Sequence, residues 1–251
     1  MGGLCNSYIA LDVETTGLRV KEDRIIEIAA VKVIDGREVA CFNTLINPRM
    51  RLSEYTKDIT GIEEEQLLDK PGIEDVMPEF FEFIEELPLL GHRILFDYSF
   101  IKKAAVNLGI EFNKEGIDTL ELSRLCLPKE QSKVLKEACK FMNIDVKDWH
   151  RALPDARASH SLYQALKLKF ADLLADKKIK KDFDTIKKYY LEDEDFKNSE
   201  LNINIDNFLK ETKFKFVIRE SFDSLIESTE QLFKDIDCII YCDKIRKCKN
   251  S

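Results

Sequence analysis

Apolar runs alternate with amphipathic segments along the first two thirds of the chain. Runs rich in branched apolar residues predict five strands, over residues 8–14, 24–33, 39–47, 87–91 and about 117–118. Apolar residues at helical spacing predict helices over residues 73–86, 98–108, 119–126, 133–143 and 154–176. The first three strands follow one another with no helix between them, so we expect an antiparallel meander inside an α/β fold.

The strand predicted at residues 8–14 carries two acids in an otherwise apolar run. Asp12 and Glu14 are separated by one residue, so both carboxylates point to the same face of the strand. Two like charges that lie this close and are partly removed from water repel unless they are protonated or hold a cation. We favour a divalent-metal site; the alternative is a strand that ends at Leu11, with Asp12 opening a turn towards Gly17.

Further polar residues of interest lie where predicted helices begin. Asp97 precedes the helix at residues 98–108, and Asp155 lies in the first turn of a later helix. His150 comes five residues before Asp155, and Pro154 disfavours helix at the residue before it, which places His150 on a loop. Each residue also has an ordinary alternative role, as a helix N-cap, a charge that complements a helix dipole, or a structural histidine.

Together these residues resemble the active-site pattern of the DnaQ-like 3′-5′ exonucleases, in the DEDDh branch. The residues that match it one by one are Asp12, Glu14, Asp97, His150 and Asp155. The resemblance also includes residues 15–17, 59–62 and 118–120 and the Ala156 that follows the last acid, and it covers about the first 175 residues. Arg93 departs from the pattern, because many relatives have asparagine there, and local packing or substrate contact at that position stays open.

The resemblance implies a ribonuclease H-like mixed sheet flanked by helices, and hydrolysis of the 3′-terminal phosphodiester with two Mg²⁺ or Mn²⁺ ions. It assigns one ion to Asp12, Glu14 and Asp155, with Asp12 bridging to a second ion that Asp97 supports. His150 takes the part of general base, since histidine can remove a proton near neutral pH.

The same resemblance implies that residues just after the paired acids contact the terminal nucleotide. These are Thr15, Thr16, Gly17 and Leu18. A glycine without a side chain and the backbone amides around it allow close approach of the nucleotide. Leu18 would lie against the terminal base, although a position in the core is an equal alternative.

Composition and charge bear on the size of the core, the cellular compartment and the strength of nucleic-acid binding. The chain has 251 residues, 44% of them hydrophobic, which suffices for a full core and an additional small domain. It contains seven cysteines without a CxxC pair, no membrane-length apolar run and no signal-peptide pattern, so we expect a cytoplasmic protein with reduced thiols and no membrane contact. A net charge of -8 predicts weak binding of long nucleic acid, whereas a short single-stranded 3′ end at a metal site needs no basic groove.

We divide the chain into an exonuclease domain at residues 1–175 and a small α+β appendage at residues 176–251, whose role the pattern leaves open. In the appendage, residues 213–218 and 238–241 have the pattern of strands, residues 222–233 that of a helix, and residues 177–181 include four lysines. A DNA polymerase or another replication protein is the partner that we expect the appendage to contact.

Three functions remain open. The first, which we favour, is a 3′-5′ exonuclease that releases nucleoside 5′-monophosphates from DNA in replication or repair. The second is an exoribonuclease of the same family that trims RNA ends or short oligomers, and the third is a non-catalytic docking module. Retention of all five residues of the pattern argues against the third. The choice between DNA and RNA depends on contacts to the sugar 2′ position.

Overall fold

A computed structural model describes residues 5–175 and the backbone of residues 216–217. The strands within these residues are β1 (Tyr8–Thr15), β2 (Ile25–Ile34), β3 (Arg37–Leu45), β4 (Leu89–Gly91), β5 (Glu115–Asp118) and β6 (Phe216–Val217). The helices are α1 (Glu54–Thr60), α2 (Glu64–Leu67), α3 (Ile73–Ile84), α4 (Ile94–Asn107), α5 (Thr119–Cys126), α6 (Leu135–Phe141) and α7 (Ala152–Ala175). The predictions for residues 177–181, 222–233 and 238–241 fall on residues outside the described ones.

The strands form one mixed sheet in the order β3-β2-β1-β4-β5-β6. β1, β2 and β3 pair antiparallel, so the predicted meander is confirmed, and β4 and β5 join it parallel to β1. β6 adds two residues, antiparallel to β5, at the far edge. This topology confirms the predicted α/β class with a mixed sheet.

The sheet is covered by helices on both sides because alternate residues of β1 feed two apolar clusters. Ile9 and Leu11 pack with residues of α3 and α4, including Phe80. Tyr8 and Ala10 pack on the other side, where α5, α6 and α7 lie. Fully burying one large apolar side chain contributes about 1.5–3 kcal/mol, so these two clusters hold the strands in register. By the same alternation Asp12 and Glu14 extend the face that α7 covers.

Two helices begin earlier than the sequence pattern predicts. α4 begins at Ile94 instead of residue 98, after Arg93, which has a left-handed backbone (φ 71°) and donates its N–H to Asp118 Oδ1 at 3.0 Å. Asp97 therefore lies within the first helical turn and is not the N-cap. α7 begins at Ala152, and Pro154 fits into its first turn because a helix leaves the N–H groups there without intrahelical acceptors.

Helix α1 was not predicted, since seven residues are too few to show a helical period. Local contacts define it instead. The Ser53 hydroxyl accepts the Thr56 N–H at 3.1 Å as an N-cap, and Gly61, with φ 66°, ends the helix in a left-handed turn. The Thr56 hydroxyl donates to the Thr16 carbonyl at 2.9 Å, so α1 supports the loop that follows β1.

Four cysteines lie within the described residues, and Cys5, Cys41, Cys126 and Cys139 are all free thiols there. No helix of this part of the chain is long and apolar enough to cross a lipid bilayer.

Candidate active site

Three carboxylates from distant parts of the chain meet where β1 passes under the start of α7. Asp12 and Glu14 lie on one face of β1, opposite Ala29 and Glu27 of β2. Asp155 enters from the first turn of α7. One carboxylate oxygen from each of the three acids lies within 4.8 Å of the others. The structure thus brings together three of the four acids that the sequence predicts for a metal site.

Asp97 lies beside this group and is not one of its three members. Its side chain is 3% exposed, and Oδ1 accepts the Val13 N–H at 2.9 Å. Val13 stands between Asp12 and Glu14, so this hydrogen bond fixes the first turn of α4 against the acidic segment of β1. The supporting role at a second ion that the resemblance assigns to Asp97 stays a prediction.

His150 lies outside any helix, as the sequence predicts. Its backbone is left-handed (φ 64°), its side chain is exposed, and its N–H donates to Asp155 Oδ2 at 3.2 Å. The histidine is therefore tied through its backbone to the acid that follows it by five residues, while its imidazole remains accessible to solvent.

Burial and mutual repulsion change the electrostatics of the acids. Burial raises the pKa of Asp12 well above its usual value, and the charges of Asp97 and Glu14 raise it further. Burial, followed by the charges of Asp155 and Glu27, raises the pKa of Glu14 to about 8. The pKa of Asp155 rises to about 6 through burial, and the His150 N–H opposes that rise. Without a cation, the group cannot be fully ionised near neutral pH.

The residues of this group fit a divalent metal ion. Carboxylate oxygens are the ligands that Mg²⁺ and Mn²⁺ prefer. Among the described residues, Asp155 Oδ1 is buried and has no hydrogen-bond partner. A buried acceptor of this kind is destabilising unless something occupies it, and a cation between the three acids would do so.

Two residues at this site, Glu27 and Arg151, are not among those predicted from the sequence. Glu27 is 1% exposed, and both of its oxygens bind the guanidinium of Arg151, with Nη2–Oε1 at 2.8 Å and Nε–Oε2 at 3.0 Å. The sequence carries a signal for Glu27, because Glu27 is the single acid of the largely apolar β2, just as Asp12 and Glu14 are the two acids of β1. Arg151 carries no such signal except that it directly follows His150.

The loop after β1 has a tight internal structure. The Thr16 hydroxyl donates to Asp23 Oδ1 at 3.0 Å, and the Thr16 N–H donates to the Arg24 carbonyl at 2.9 Å, so neither group is free for a nucleotide. A Cβ on Gly17 would lie 2.6 Å from Asp23 Oδ2. Leu18 is 47% exposed, which rules out the alternative of a core position.

A model of the exonuclease family called RNase_T matches residues 9–163, which is more than half of the 251 residues. The chain belongs to this exonuclease family. The matched range contains all five residues of the predicted pattern, from Asp12 to Asp155. Members of the DEDDh branch generally use divalent metals, in keeping with the acidic group described above.

A similar protein and a similar solved structure agree with this family assignment. A PolC-type DNA polymerase III of Caldanaerobacter subterraneus subsp. tengcongensis is 38% identical over 156 residues, which are 62% of this chain and 11% of that protein. This exonuclease therefore spans a small part of the curated relatives it matches. A solved structure of Exonuclease X in complex with 5′ overhanging duplex DNA is 29% identical, with a TM-score of 0.52 over 63% of this chain and 90% of that one.

A third comparison concerns the fold alone. The nuclease domain of 3′hExo, described as a DEDDh family member bound to rAMP, is 18% identical with a TM-score of 0.54, over 63% of this chain and 90% of that one. Together the comparisons confirm a DnaQ-like 3′-5′ exonuclease with a ribonuclease H-like fold.

Proposed function

We propose that this exonuclease acts on DNA, removing 5′-mononucleotides one at a time from a single-stranded 3′ end in replication or repair. The observation that carries the proposal is the convergence of Asp12, Glu14 and Asp155 within 4.8 Å, with Asp97 beside them. The PolC-type relatives, which are DNA polymerases, and the DNA in the Exonuclease X complex favour DNA over RNA.

In the proposed mechanism Asp12, Glu14 and Asp155 would hold one Mg²⁺ or Mn²⁺ ion, and Asp12 with Asp97 would help to hold a second. Such ions supply a nucleophilic water at neutral pH and stabilise the charge on the leaving 3′ oxygen. His150 accepts a proton from the attacking water through an imidazole nitrogen. Asp97 also keeps the acidic segment of β1 in place through its bond to the Val13 N–H.

The loop after β1 is the proposed contact surface for the terminal nucleotide. Thr15 and Thr16 stabilise the loop, since their hydroxyls bind the Gly17 carbonyl and the Asp23 carboxylate. The missing side chain of Gly17 makes room for the Asp23 carboxylate that holds the loop. We assign the nucleotide contact to the backbone at Gly17 and to the exposed Leu18, which presents an apolar surface to the base.

A DNA polymerase is the proposed partner, because the relatives carry the matching segment within a polymerase chain. We assign that contact to residues 176–251, which follow the exonuclease domain. The division into residues 1–175 and 176–251 belongs to the same proposal.

The test uses matched single-stranded DNA and RNA of one sequence, each labelled at the 5′ end, and a closed DNA circle. We expect Mg²⁺- or Mn²⁺-dependent shortening of linear DNA from its 3′ end, slower shortening of RNA and no cutting of the circle. Asp12→Asn is the inactive control for a contaminating nuclease. Activity in excess chelator, or cutting of the circle, would contradict the mechanism. Faster digestion of RNA would establish the exoribonuclease alternative.

A further inference from the structure

A fifth carboxylate, that of Glu27, lies on the acidic face without being one of the predicted ligands. It pairs with Glu14 across β1 and β2, so both side chains point to the side of the sheet that α7 covers. With 1% exposure it is more deeply buried than Asp155, at 9%. A buried carboxylate next to other acids is destabilising unless specific partners hold it.

The described partners of Glu27 all belong to the two residues at which α7 starts. Oε1 accepts from Arg151 Nη2 at 2.8 Å, and Oε2 accepts from Arg151 Nε at 3.0 Å and from the Ala152 N–H at 3.1 Å. A two-pronged contact of this kind fixes direction as well as distance. Both oxygens are engaged by N–H donors, and Glu27 is not one of the three acids whose oxygens lie within 4.8 Å of one another. We therefore treat Glu27 as an anchor for α7.

Arg151 and the preceding His150 also contact Asp155 through their backbone atoms. The Arg151 carbonyl accepts the Asp155 N–H at 3.1 Å, and His150, which precedes Arg151, donates its own N–H to Asp155 Oδ2 at 3.2 Å. The Arg151 charge also acts to lower the pKa of Glu14. The segment from His150 to Asp155 is therefore connected to β2 through Glu27.

We propose that the Glu27–Arg151 ion pair positions Asp155 and His150 for the reaction, by fixing the first turn of α7 against β2. This inference rests on the proposed function of the site. Both residues act through their neighbours and do not touch the nucleotide. Outer partners that orient metal ligands typically change metal affinity or activity by about 10- to 100-fold when they are altered.

The chain offers a matched control. Arg157, on the same helix, binds Glu38 of β3 through the same kind of fork, with Nη2–Oε1 at 2.7 Å and Nε–Oε2 at 3.1 Å. Both side chains of that pair are partly exposed, at 47% and 34%. Exposed ion pairs contribute little to stability, and this one has no described bond to Asp155 or His150.

The experiment compares Arg151→Lys and Glu27→Gln with Arg157→Lys and Glu38→Gln. Lysine keeps the charge but loses the fork, so it separates positioning from charge balance. Three quantities are measured: kcat on saturating DNA, KM, and the rise in melting temperature that Mn²⁺ produces without DNA. We expect the first two variants to lose about 10- to 100-fold in kcat and part of the Mn²⁺-dependent rise, with KM nearly unchanged. The two control variants should behave as the wild type.

A double variant that combines the same two substitutions, Glu27→Gln with Arg151→Lys, gives a second test. Because the pair acts as one unit, its kcat should be no lower than that of the worse single variant. Wild-type kcat and a wild-type Mn²⁺ response in both Arg151→Lys and Glu27→Gln would overturn the proposal. Equal losses in the control pair, or loss of folded structure in Arg151→Lys by circular dichroism, would also overturn it, since the pair would then serve stability alone. An inactive wild type would refute the proposed function, while the Mn²⁺ response would still test the positioning role.

Discussion

Two parts of the site are positioned by different means: the strand side, which consists of Asp12 and Glu14, and the helix side, which consists of His150 and Asp155. Asp12 and Glu14 are fixed by β1, whose backbone is bonded to β2 and β4 on its two edges. Asp155 and His150 are fixed by side chains and by the start of α7, where helix geometry alone leaves several directions open. The strand side is therefore set by backbone pairing, and the helix side depends on contacts such as Glu27 with Arg151.

The largest expected effect comes from removing one acid on each side. Asp12→Ala and Asp155→Ala should each reduce kcat by about 10³-fold or more, because the acids act as a unit. The metal-free melting temperature should hold or rise in Asp12→Ala, since repulsion within the group is relieved. It should rise less in Asp155→Ala, which also loses the acceptor of the His150 N–H. Near-wild-type turnover in either variant would remove that residue from the site.

A smaller loss of hydrolysis rate is expected from a substitution of His150, on the helix side. His150→Ala should reduce the rate by about 10²- to 10⁴-fold, the usual contribution of a general base. The bond from residue 150 to Asp155 comes from the backbone, so the response of the melting temperature to Mn²⁺ should stay as in the wild type. An unchanged rate would show that His150 is structural.

The pH dependence of stability tests the acids of both sides in the metal-free protein. The pKa of Glu14 is raised from 4.5 to about 8 and that of Asp155 from 3.8 to about 6. Groups with raised pKa values stabilise the fold fully below their unfolded values, and that contribution is lost as the pH rises through the folded values. The melting temperature in chelator should therefore fall between about pH 5 and pH 8. Glu14→Gln should flatten the fall, and Mn²⁺ should oppose it at the upper end; a flat wild-type profile would contradict the assignment.

The smallest effect on turnover is expected from removing residues 177–251. All five proposed catalytic residues precede this segment, and β6 contributes two residue pairs at the edge of the sheet. Turnover of a short oligonucleotide at saturation should stay near wild type, while affinity for longer strands or for the polymerase partner falls. A shallower salt dependence on long strands would indicate lost phosphate contacts from the lysines at residues 177–181. If the truncated protein were insoluble or unfolded, the proposed division into residues 1–175 and 176–251 would be wrong.

The difference between the two sides also explains what the sequence could predict. Alternation along β1 identifies Asp12 and Glu14, and the ordered pattern adds Asp97, His150 and Asp155. The early start of α4 could not be foreseen, because it depends on the contact between Arg93 and Asp118, which lie 25 residues apart. The role of Arg151 could not be foreseen for the same reason, because its partner Glu27 lies 124 residues away in the sequence, on another element.

The pairing of β1 with β2 also limits how the chain can change in length. Side chains alternate along a strand, so a deletion of one residue between Tyr8 and Leu11 would turn Asp12 and Glu14 towards the apolar cluster around Phe80. Such a change would remove the acidic group and bury two charges in the core at once. A change of length is therefore expected to be tolerated better in a turn, such as residues 35–36 between β2 and β3, than within β1, where the distance from Tyr8 decides which face the two acids occupy.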